Sequence, residues 1–266
     1  MKKFENIVLI GAGNIAFNLG NALYRKGFQI VQVYNRSIFS AEELAFKLRC
    51  EATNNLNDIR KDADLYIIAV SDSALPLLAN ELNLDSKLVV HTSGTSSMDV
   101  LHPISSNIGV FYPLQTFTKD KLLKFKQIPI LLEANSTENE DILLEIAGTI
   151  SNDVRFHTSE ERRIAHLAAV FACNFTNYMY AVAESILEEN GMEFNLLYPL
   201  IRRTAKKIKR NDPRSIQTGP AVRNDQITIE KHLQLLNNNP EIKELYKILS
   251  NSIQEHSLEF NIKKKL

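Results

Sequence analysis

The stretch IVLIGAGNIAFNLGNALYRKGFQIVQVYNRS, residues 7–37, decides the fold. It opens with an apolar run that is typical of a strand buried on both faces. After a glycine-rich turn, Ile15, Leu19 and Leu23 recur at helical spacing. Gly27 ends this helix and a second apolar run follows. The order strand, helix, strand predicts two parallel strands joined by a right-handed crossover.

The same alternation continues through the first half of the chain. Further strands are predicted at residues 65–70, 87–91, 108–111 and 128–132, with helices between them. After a last strand near residues 154–157 the pattern is helical, beginning with a long helix predicted over residues 159–189. We therefore expect an α/β fold: an N-terminal Rossmann-type parallel-sheet domain over residues 1–155 and an all-α C-terminal domain over residues 156–266.

Composition excludes several classes of function. The chain has 266 residues, with 31 basic and 31 acidic side chains, so a net charge of zero gives no reason to expect nucleic acid as a partner. It has no apolar run of about 18 residues, so no membrane span is expected. Cys50 and Cys173 are far apart, and the N-terminus lacks the pattern of a secretory signal. We expect a reduced, cytoplasmic protein without a metal site.

The glycine turn reads Gly11-Ala12-Gly13-Asn14-Ile15. Gly11 permits a tight turn, and Gly13 lets the backbone approach a pyrophosphate at the N-terminus of the helix that starts with Asn14 and Ile15. The alternative is a glycine turn that only joins a strand to a helix. The strand before it and the amphipathic helix after it favour a dinucleotide site.

The end of the second strand indicates which dinucleotide is bound. An NAD site usually has an acidic residue there for the ribose hydroxyls. This chain has Asn35, Arg36 and Ser37 instead, which could bind a 2′-phosphate by a salt bridge and hydrogen bonds. The sequence therefore favours NADP over NAD, the alternative being that Arg36 is a solvent-exposed turn residue.

Two later strands should also end beside the cofactor, because ligands lie beyond the carboxyl ends of strands in open α/β sheets. We expect Val70 and Ser71 to line the site after one strand, and Ser93 after the next. Asp72 and Ser73 are expected to cap the helix that follows.

The long helix carries the candidate catalytic residues. At about 100° per residue, His166, Val170, Asn174 and Asn177 fall within an arc of about 80°. Hydride transfer needs a dry pocket and a proton donor. His166 would be the acid or an organiser of the pocket mouth, and Asn174 would orient the substrate carbonyl or imine. The alternative is hydrogen bonding between helices or between subunits.

A loop in the helical half is a second candidate for substrate binding. Gly219 belongs to a turn with exposed backbone, and Arg223 could bind a substrate carboxylate through two hydrogen bonds. Solvent exposure or a salt bridge would explain Arg223 equally well. Asp225 is expected to cap the following helix.

The order of the motifs supports a family assignment. GAGNIA, VYNRS, IIAVSDSAL, VVHTSGTSS, FYPLQTF, ERRIAHLAAVFACNFTNY and TGPAVRND together resemble the bacterial Rossmann-like proteins with a DUF2520 domain, often described as NADP oxidoreductases. The resemblance covers nearly the whole chain. It extends to pyrroline-5-carboxylate reductase and, more distantly, to prephenate dehydrogenase and the 6-phosphogluconate and 3-hydroxyisobutyrate dehydrogenases. It implies an N-terminal NADP domain, a helical C-terminal domain and homodimers that form through the latter, but it names no substrate.

At two positions this chain differs from the related enzymes, and each difference bears on the reaction or the ligand site that we expect. Val170 stands where the 6-phosphogluconate type has a catalytic lysine four residues before an asparagine, which argues against decarboxylating and 3-hydroxyacid reactions. Tyr112-Pro113 stands where the prephenate type has a histidine before the proline, which weakens the case for a ligand role there.

The sequence thus predicts an NADP-dependent oxidoreductase that reduces a C=O or C=N bond of a small metabolite. A dinucleotide-binding sensor without turnover is the alternative. A deazaflavin, F420, as hydride partner has no specific support in the sequence.

Overall fold

The computed structural model describes the backbone of residues 4–263 and the side chains of residues 4–256. In this part of the chain the strands are β1 Asn6–Ile10, β2 Gln29–Tyr34, β3 Glu51–Thr53, β4 Leu65–Ile68, β5 Leu88–His91, β6 Asn107–Pro113, β7 Ile130–Ala134 and β8 Val154–Phe156. They form one sheet in the order β3-β2-β1-β4-β5-β6-β7-β8.

Nine α-helices lie in the described residues. They are α1 Asn14–Tyr24, α2 Ile38–Leu48, α3 Leu75–Glu81, α4 Thr137–Ile150, α5 Ser159–Ala169, α6 Thr176–Glu188, α7 Tyr198–Lys207, α8 Gln226–Leu235 and α9 Pro240–Lys263. In the described residues, no helix is both long enough and apolar enough to cross a membrane. The predicted α/β fold class, a Rossmann-type sheet followed by a helical region, is confirmed.

One strand pair differs from the prediction. All neighbours in the sheet are parallel except β6 and β7, which are antiparallel. A parallel connection needs a crossover, usually a helix. Residues 114–129, which connect the two strands, contain a short 3₁₀ turn and no α-helix. The chain returns beside β6 in the opposite direction, whereas the connection from β5 to β6, which also lacks an α-helix, joins two parallel strands.

Two apolar layers cover the faces of the sheet. Successive side chains of a strand point to opposite faces. Ile7 and Leu9 of β1 accordingly pack with α1 and α2, while Val8 and Ile10 pack on the other face with α3. All four are at most 1% exposed. Burying such a side chain contributes about 1.5–3 kcal/mol, so this alternation keeps the strand ends in fixed positions.

The predicted long helix is interrupted. It begins at α5 with a capping box between Thr158 and Glu161 and resumes as α6, but Val170–Phe175 form a π-helical segment. The prediction of an uninterrupted α-helix is wrong over these six residues. Angles calculated at 100° per residue therefore do not hold beyond Ala169.

The chain divides after Phe175 into two compact units. This division lies 20 residues later than the predicted boundary between residues 155 and 156. The reason is that α5 is bonded to the sheet region through Arg162 and His166. The assignment of residues 1–155 and 156–266 to separate domains stays a prediction.

Candidate functional site

The loops that follow β1, β4, β5 and β6 lie at one edge of the sheet. These strands are adjacent and parallel, so their carboxyl ends point the same way. Adjacent strands are about 4.8 Å apart, which places the end of β6 about 14 Å from the end of β1. Two concave sites occupy this edge, one beside β1 and one beside β6.

Gly11 makes the turn after β1. Its φ of +112° lies in the range that side chains rarely adopt. An added methyl group would overlap the Ala69 carbonyl at the end of β4 and approach its carbon to 2.8 Å. The Gly11 amide donates to the Tyr34 carbonyl at 2.7 Å. Gly11 is thus bonded to the end of β2 and leaves no room for a side chain beside the end of β4.

Gly13 leaves the N-terminus of α1 open. No atom lies within 4 Å of the position where a side chain would begin, and φ is −77°. No side chain caps the helix, and its first turn has no acidic residue. The amides of Asn14 and Ile15, which begin α1, therefore have the positive end of the helix dipole behind them and no anionic partner in the described chain.

The cleft around this turn, called here the glycine cleft, has a volume of about 390 Å³. Its lining comprises Gly11, Ala12, Gly13, Tyr34, Asn35, Arg36, Leu56, Ala69, Val70, Ser71, Ala74, Leu77, Leu78 and Glu81. Of the predicted cofactor-binding residues it brings together Gly11, Gly13, Asn35, Arg36, Val70 and Ser71.

The second-strand turn presents one cation to the glycine cleft. Arg36 is exposed, and none of the ion pairs among the described side chains includes it. Asn35 donates to the Ser37 carbonyl at 3.1 Å, and Ser37 precedes α2 as its N-cap residue. Glu81 brings one carboxylate to the cleft, where it adds to the effect of burial in raising the pKa of Tyr34. The uncapped helix, the space beside Gly13 and the free guanidinium fit a phosphorylated dinucleotide.

The loop after β5 differs from the prediction. Ser93 is 7% exposed, and its hydroxyl accepts the amides of Thr95 and Ser96 at 3.1 and 2.9 Å. It lines neither concave site, so its contact with a cofactor remains a prediction. Asp72 and Ser73 do not cap α3, whose N-cap residue is Ala74. Asp72 accepts a hydrogen bond from the Thr95 hydroxyl and joins the β4 and β5 loops instead.

His91 is fully buried, and both nitrogens of its ring have a hydrogen-bond partner. Its Nδ1 accepts the Ser93 amide at 3.1 Å, so Nε2 carries the proton and donates to the Ser97 carbonyl at 3.2 Å. Burial lowers the pKa of His91 to about 4, and the nearby Arg162 guanidinium contributes to the shift. The neutral ring holds the β5 loop in shape.

Arg162 is a buried cation that the sequence did not single out. It is 0% exposed and bonds to the Glu133 carboxylate at 2.5 Å and to the carbonyls of Ser93 and Ser96 at 3.1 and 2.5 Å. The Ser159 hydroxyl donates to the same carboxylate at 2.7 Å. Since every bond leads to the β5 loop, β7 or its own helix, Arg162 fixes α5 against the sheet edge.

The second concave site lies beside β6 and is called here the Tyr112–His166 pocket. The Tyr112 hydroxyl and His166 Nδ1 are 2.9 Å apart. The pocket has a volume of about 300 Å³. It is lined by Tyr112, Leu114, Gln115, Thr116, His166, Ala169, Val170, Ala172, Cys173 and Asn174. The predicted His166, Val170 and Asn174 therefore share one pocket, although the π segment changes the angles between them.

The π segment gives this pocket its inner wall. Four of its lining residues, Val170, Ala172, Cys173 and Asn174, belong to that segment. The Cys173 thiol and the Thr116 hydroxyl are 3.2 Å apart. Short π-helical segments inside α-helices occur frequently at functional sites.

The predicted substrate loop belongs to the second compact unit. Gly219 has a φ of +121°, and Arg223 is exposed. Asp225 caps α8 through the amide and hydroxyl of Thr228 at 3.1 and 2.8 Å, as predicted. Substrate binding by Gly219 and Arg223 remains a prediction.

A mostly parallel sheet whose first strand leads through a glycine turn into an uncapped helix is typical of a Rossmann-type nucleotide-binding fold. Family models agree: residues 3–115 match a Rossmann-like domain, and residues 128–253 match DUF2520, a domain of unknown function.

A solved structure from Bacteroides fragilis, provisionally described as an NADP oxidoreductase, shares 47% sequence identity with the chain. The likeness covers 94% of this chain and 98% of that one, with a TM-score of 0.89. The chain belongs to this family of Rossmann-like proteins with a DUF2520 domain.

Solved structures with lower sequence identity are similar to this chain in fold alone. A pyrroline-5-carboxylate reductase from Coxiella burnetii is 19% identical, with a TM-score of 0.58 and coverage of 97% of this chain and 98% of that one. A reductive aminase from Aspergillus terreus, solved with NADPH, is 12% identical, with a TM-score of 0.70 and coverage of 97% and 95%.

The curated relatives match only in part. A glutamyl-tRNA reductase from Listeria monocytogenes is 26% identical over 170 residues, which are 63% of this chain. The chain spans 38% of the length of that relative.

Proposed function

We propose that the protein is an NADP(H)-dependent reductase that adds a hydride to a C=O or C=N bond of a small metabolite. The observation that carries the proposal is the glycine cleft, where an uncapped helix N-terminus and the Arg36 guanidinium open on the same space. The 47% identical relative, provisionally described as an NADP oxidoreductase, and the NADPH-bound reductive aminase support it.

Different residues of the glycine cleft would bind different parts of the cofactor. Gly11, Gly13 and the amides of Asn14 and Ile15 would hold the diphosphate, because backbone amides at a helix N-terminus bind anions. Arg36 would pair with the 2′-phosphate, and Asn35 and Ser37 would add hydrogen bonds. Val70, Ser71 and Ser93 would lie towards the reactive end. The bound cofactor supplies the hydride.

The Tyr112–His166 pocket would receive the substrate. His166 and Asn174 both line it, and Asn174 has an amide that can donate to a carbonyl oxygen or an imine nitrogen. Arg223 would be a carboxylate ligand beside the exposed turn at Gly219, if the substrate carries a carboxylate.

Arg36→Gln tests the cofactor assignment. Losing a charge-assisted bond of about 1.5–3 kcal/mol should raise the Kd for NADPH about 10- to 100-fold and leave the Kd for NADH unchanged. Titration calorimetry measures both. Arg25→Gln makes the same charge change beyond the opposite end of α1 and should alter neither Kd. An equal rise in the Kd for NADPH and for NADH would contradict a role for Arg36 at the 2′-phosphate.

A dinucleotide sensor without turnover is the second candidate. Val170 favours it, because this aliphatic side chain lines the pocket where related dehydrogenases have a lysine. A panel of cyclic imines, 2-keto acids and 3-keto acids, followed by NADPH absorbance, separates the two. Turnover with one class that is lost in His166→Ala or Asn174→Ala supports the reductase. Tight binding of NADPH without turnover supports the sensor.

We further propose a homodimer that forms through the helical region. Ile164, Leu167, Phe171 and Phe175 recur along one helical stretch and are 63%, 58%, 62% and 49% exposed. An apolar patch of this extent indicates an interface. Phe171→Glu should shift the sedimentation coefficient from dimer to monomer. Leu235→Glu, at an apolar residue outside this patch that is 83% exposed, should not.

We also propose a reducing, cytoplasmic setting, because Cys50 and Cys173 are both free thiols. Cell fractionation with an antibody against the protein tests this location. Recovery in an oxidising compartment would contradict it.

A further inference from the structure

The Tyr112–His166 pocket holds three titratable side chains. Among its lining residues these are Tyr112, His166 and Cys173, and no lysine, arginine, aspartate or glutamate lines it. A substrate whose C=O or C=N bond is reduced there must therefore take its proton from one of these three or from water.

Tyr112 is the most rigidly placed of the three. It is 7% exposed, and its ring packs with Val110 and Leu131. A methyl group on Gly94 would come within 3.0 Å of the ring, so the β5 loop confines it on another side. The hydroxyl is 2.9 Å from His166 Nδ1, and the two rings meet edge to face at 64°.

The position of His166 follows from Arg162. The two residues are four apart on α5 and therefore lie on the same face of the helix. Arg162 fixes this face through the carbonyls of Ser93 and Ser96 and the Glu133 carboxylate. The helix face that carries His166 is thus held against the sheet edge by a buried network.

We propose that Tyr112 is a catalytic residue, the proton donor of the reductase, and that His166 positions its hydroxyl. This inference rests on the proposed function and changes the role of His166 from acid to positioning residue. The hydroxyl oxygen accepts the Nδ1 proton of His166, which leaves the phenolic proton free to point into the pocket. Asn174 lines the same pocket and would donate to a carbonyl oxygen, which has a second lone pair free for it.

The proton balance is simple. A C–H bond forms between the hydride and the substrate carbon, and the π electron pair moves to the oxygen or nitrogen. That atom takes the phenolic proton, and solvent returns one proton to the phenolate while His166 keeps its Nδ1 proton. Each turnover therefore consumes one hydride and one proton.

The surroundings keep Tyr112 protonated between turnovers. Burial raises the pKa of Tyr112 above its usual value, the Asp72 carboxylate adds to the rise, and the Arg162 guanidinium opposes it. The phenol is therefore neutral over the physiological range and available to donate.

Tyr112→Phe tests the proposal, because it keeps the buried ring and removes only the hydroxyl. With a panel substrate that the wild type turns over, kcat should fall about 100-fold or more, while KM and the Kd for NADPH stay unchanged. The solvent deuterium isotope effect on kcat should change as well. His166→Gln should lower kcat less than Tyr112→Phe does.

Tyr66→Phe is the matched control. It removes another buried hydroxyl, one that bonds to the Arg60 carbonyl at 2.8 Å and the Ala63 amide at 3.3 Å. It should lower Tm and leave kcat unchanged. A Tyr112→Phe variant that also loses Tm but keeps kcat would show a structural role and overturn the proposal.

A second readout needs no substrate. In ¹⁵N-histidine-labelled protein, the His166 Nδ1 resonance, assigned with His166→Gln, should shift in Tyr112→Phe. An unchanged resonance overturns the pairing. A loss of kcat in Cys173→Ser that exceeds the loss in Tyr112→Phe would make the thiol the donor and likewise overturn it.

The two proposals fail in different ways. Turnover that persists in Tyr112→Phe refutes the donor and leaves the reductase intact. NADPH binding with no turnover by the wild type across the panel refutes the reductase and, with it, proton donation.

Discussion

Gly13→Ala distinguishes a nucleotide-binding turn from a turn that only connects β1 to α1. Alanine tolerates the φ of −77° and ψ of −172° of this residue, and no atom lies within 4 Å of the added methyl group. The free energy of unfolding should therefore change by less than about 1 kcal/mol. A purely structural turn would accept the substitution without any other effect.

The effect on binding should be large. The methyl group would stand at the open N-terminus of α1, in the space proposed for the diphosphate. Displacing one charge-assisted hydrogen bond costs about 1.5–3 kcal/mol, which raises the Kd for NADPH about 10- to 100-fold.

Gly11→Ala is the matched comparison. At a φ of +112° and against the Ala69 carbonyl, the new side chain is strained whatever the cleft binds. We expect a loss of at least about 2 kcal/mol in the free energy of unfolding. Urea denaturation and titration calorimetry with NADPH measure both variants. A wild-type Kd for Gly13→Ala, or wild-type stability for Gly11→Ala, would refute this account of the turn.

Two further predictions concern the buried network. As pH falls from about 6.5 to about 4, the protein should lose up to about 3 kcal/mol of stability, because the pKa of His91 is lowered to about 4 and the unfolded chain binds the proton first. In urea denaturation, His91→Gln should remove most of this dependence of the unfolding free energy on pH. His102→Gln, at an exposed histidine, should retain it. An unchanged pH dependence in His91→Gln would contradict the prediction. Arg162→Met should lower the free energy of unfolding by about 3–5 kcal/mol, because it leaves the mostly buried Glu133 carboxylate without its cationic partner, and adding Glu133→Gln should restore part of the loss. A cost below about 1 kcal/mol would show that the ion pair does not hold α5.

The fold was predictable where local sequence determines it. Continuous apolar runs and a glycine turn were enough for β1, α1 and β2, since strands buried on both faces have that pattern. β3 was missed because Glu51–Thr53 is three residues long and has one buried side chain. The antiparallel β7 and the π segment depend on packing between distant parts of the chain, which a local pattern does not record.

The same limit applies to the two concave sites. The glycine cleft could be predicted because Gly11, Gly13 and Arg36 belong to one contiguous unit. Tyr112 and His166 are 54 residues apart, so their contact was invisible in the sequence. Arg162 stands beside the exposed Arg163, and nothing local distinguishes the buried arginine from its neighbour.

Calorimetric titration of the wild-type protein with NADPH and NADH tests the central claim most directly. We predict saturable binding of one NADPH per chain, with a Kd at least about tenfold below that for NADH because Arg36 engages the 2′-phosphate. Absence of binding for both nucleotides at millimolar concentration would contradict the nucleotide site and everything built on it.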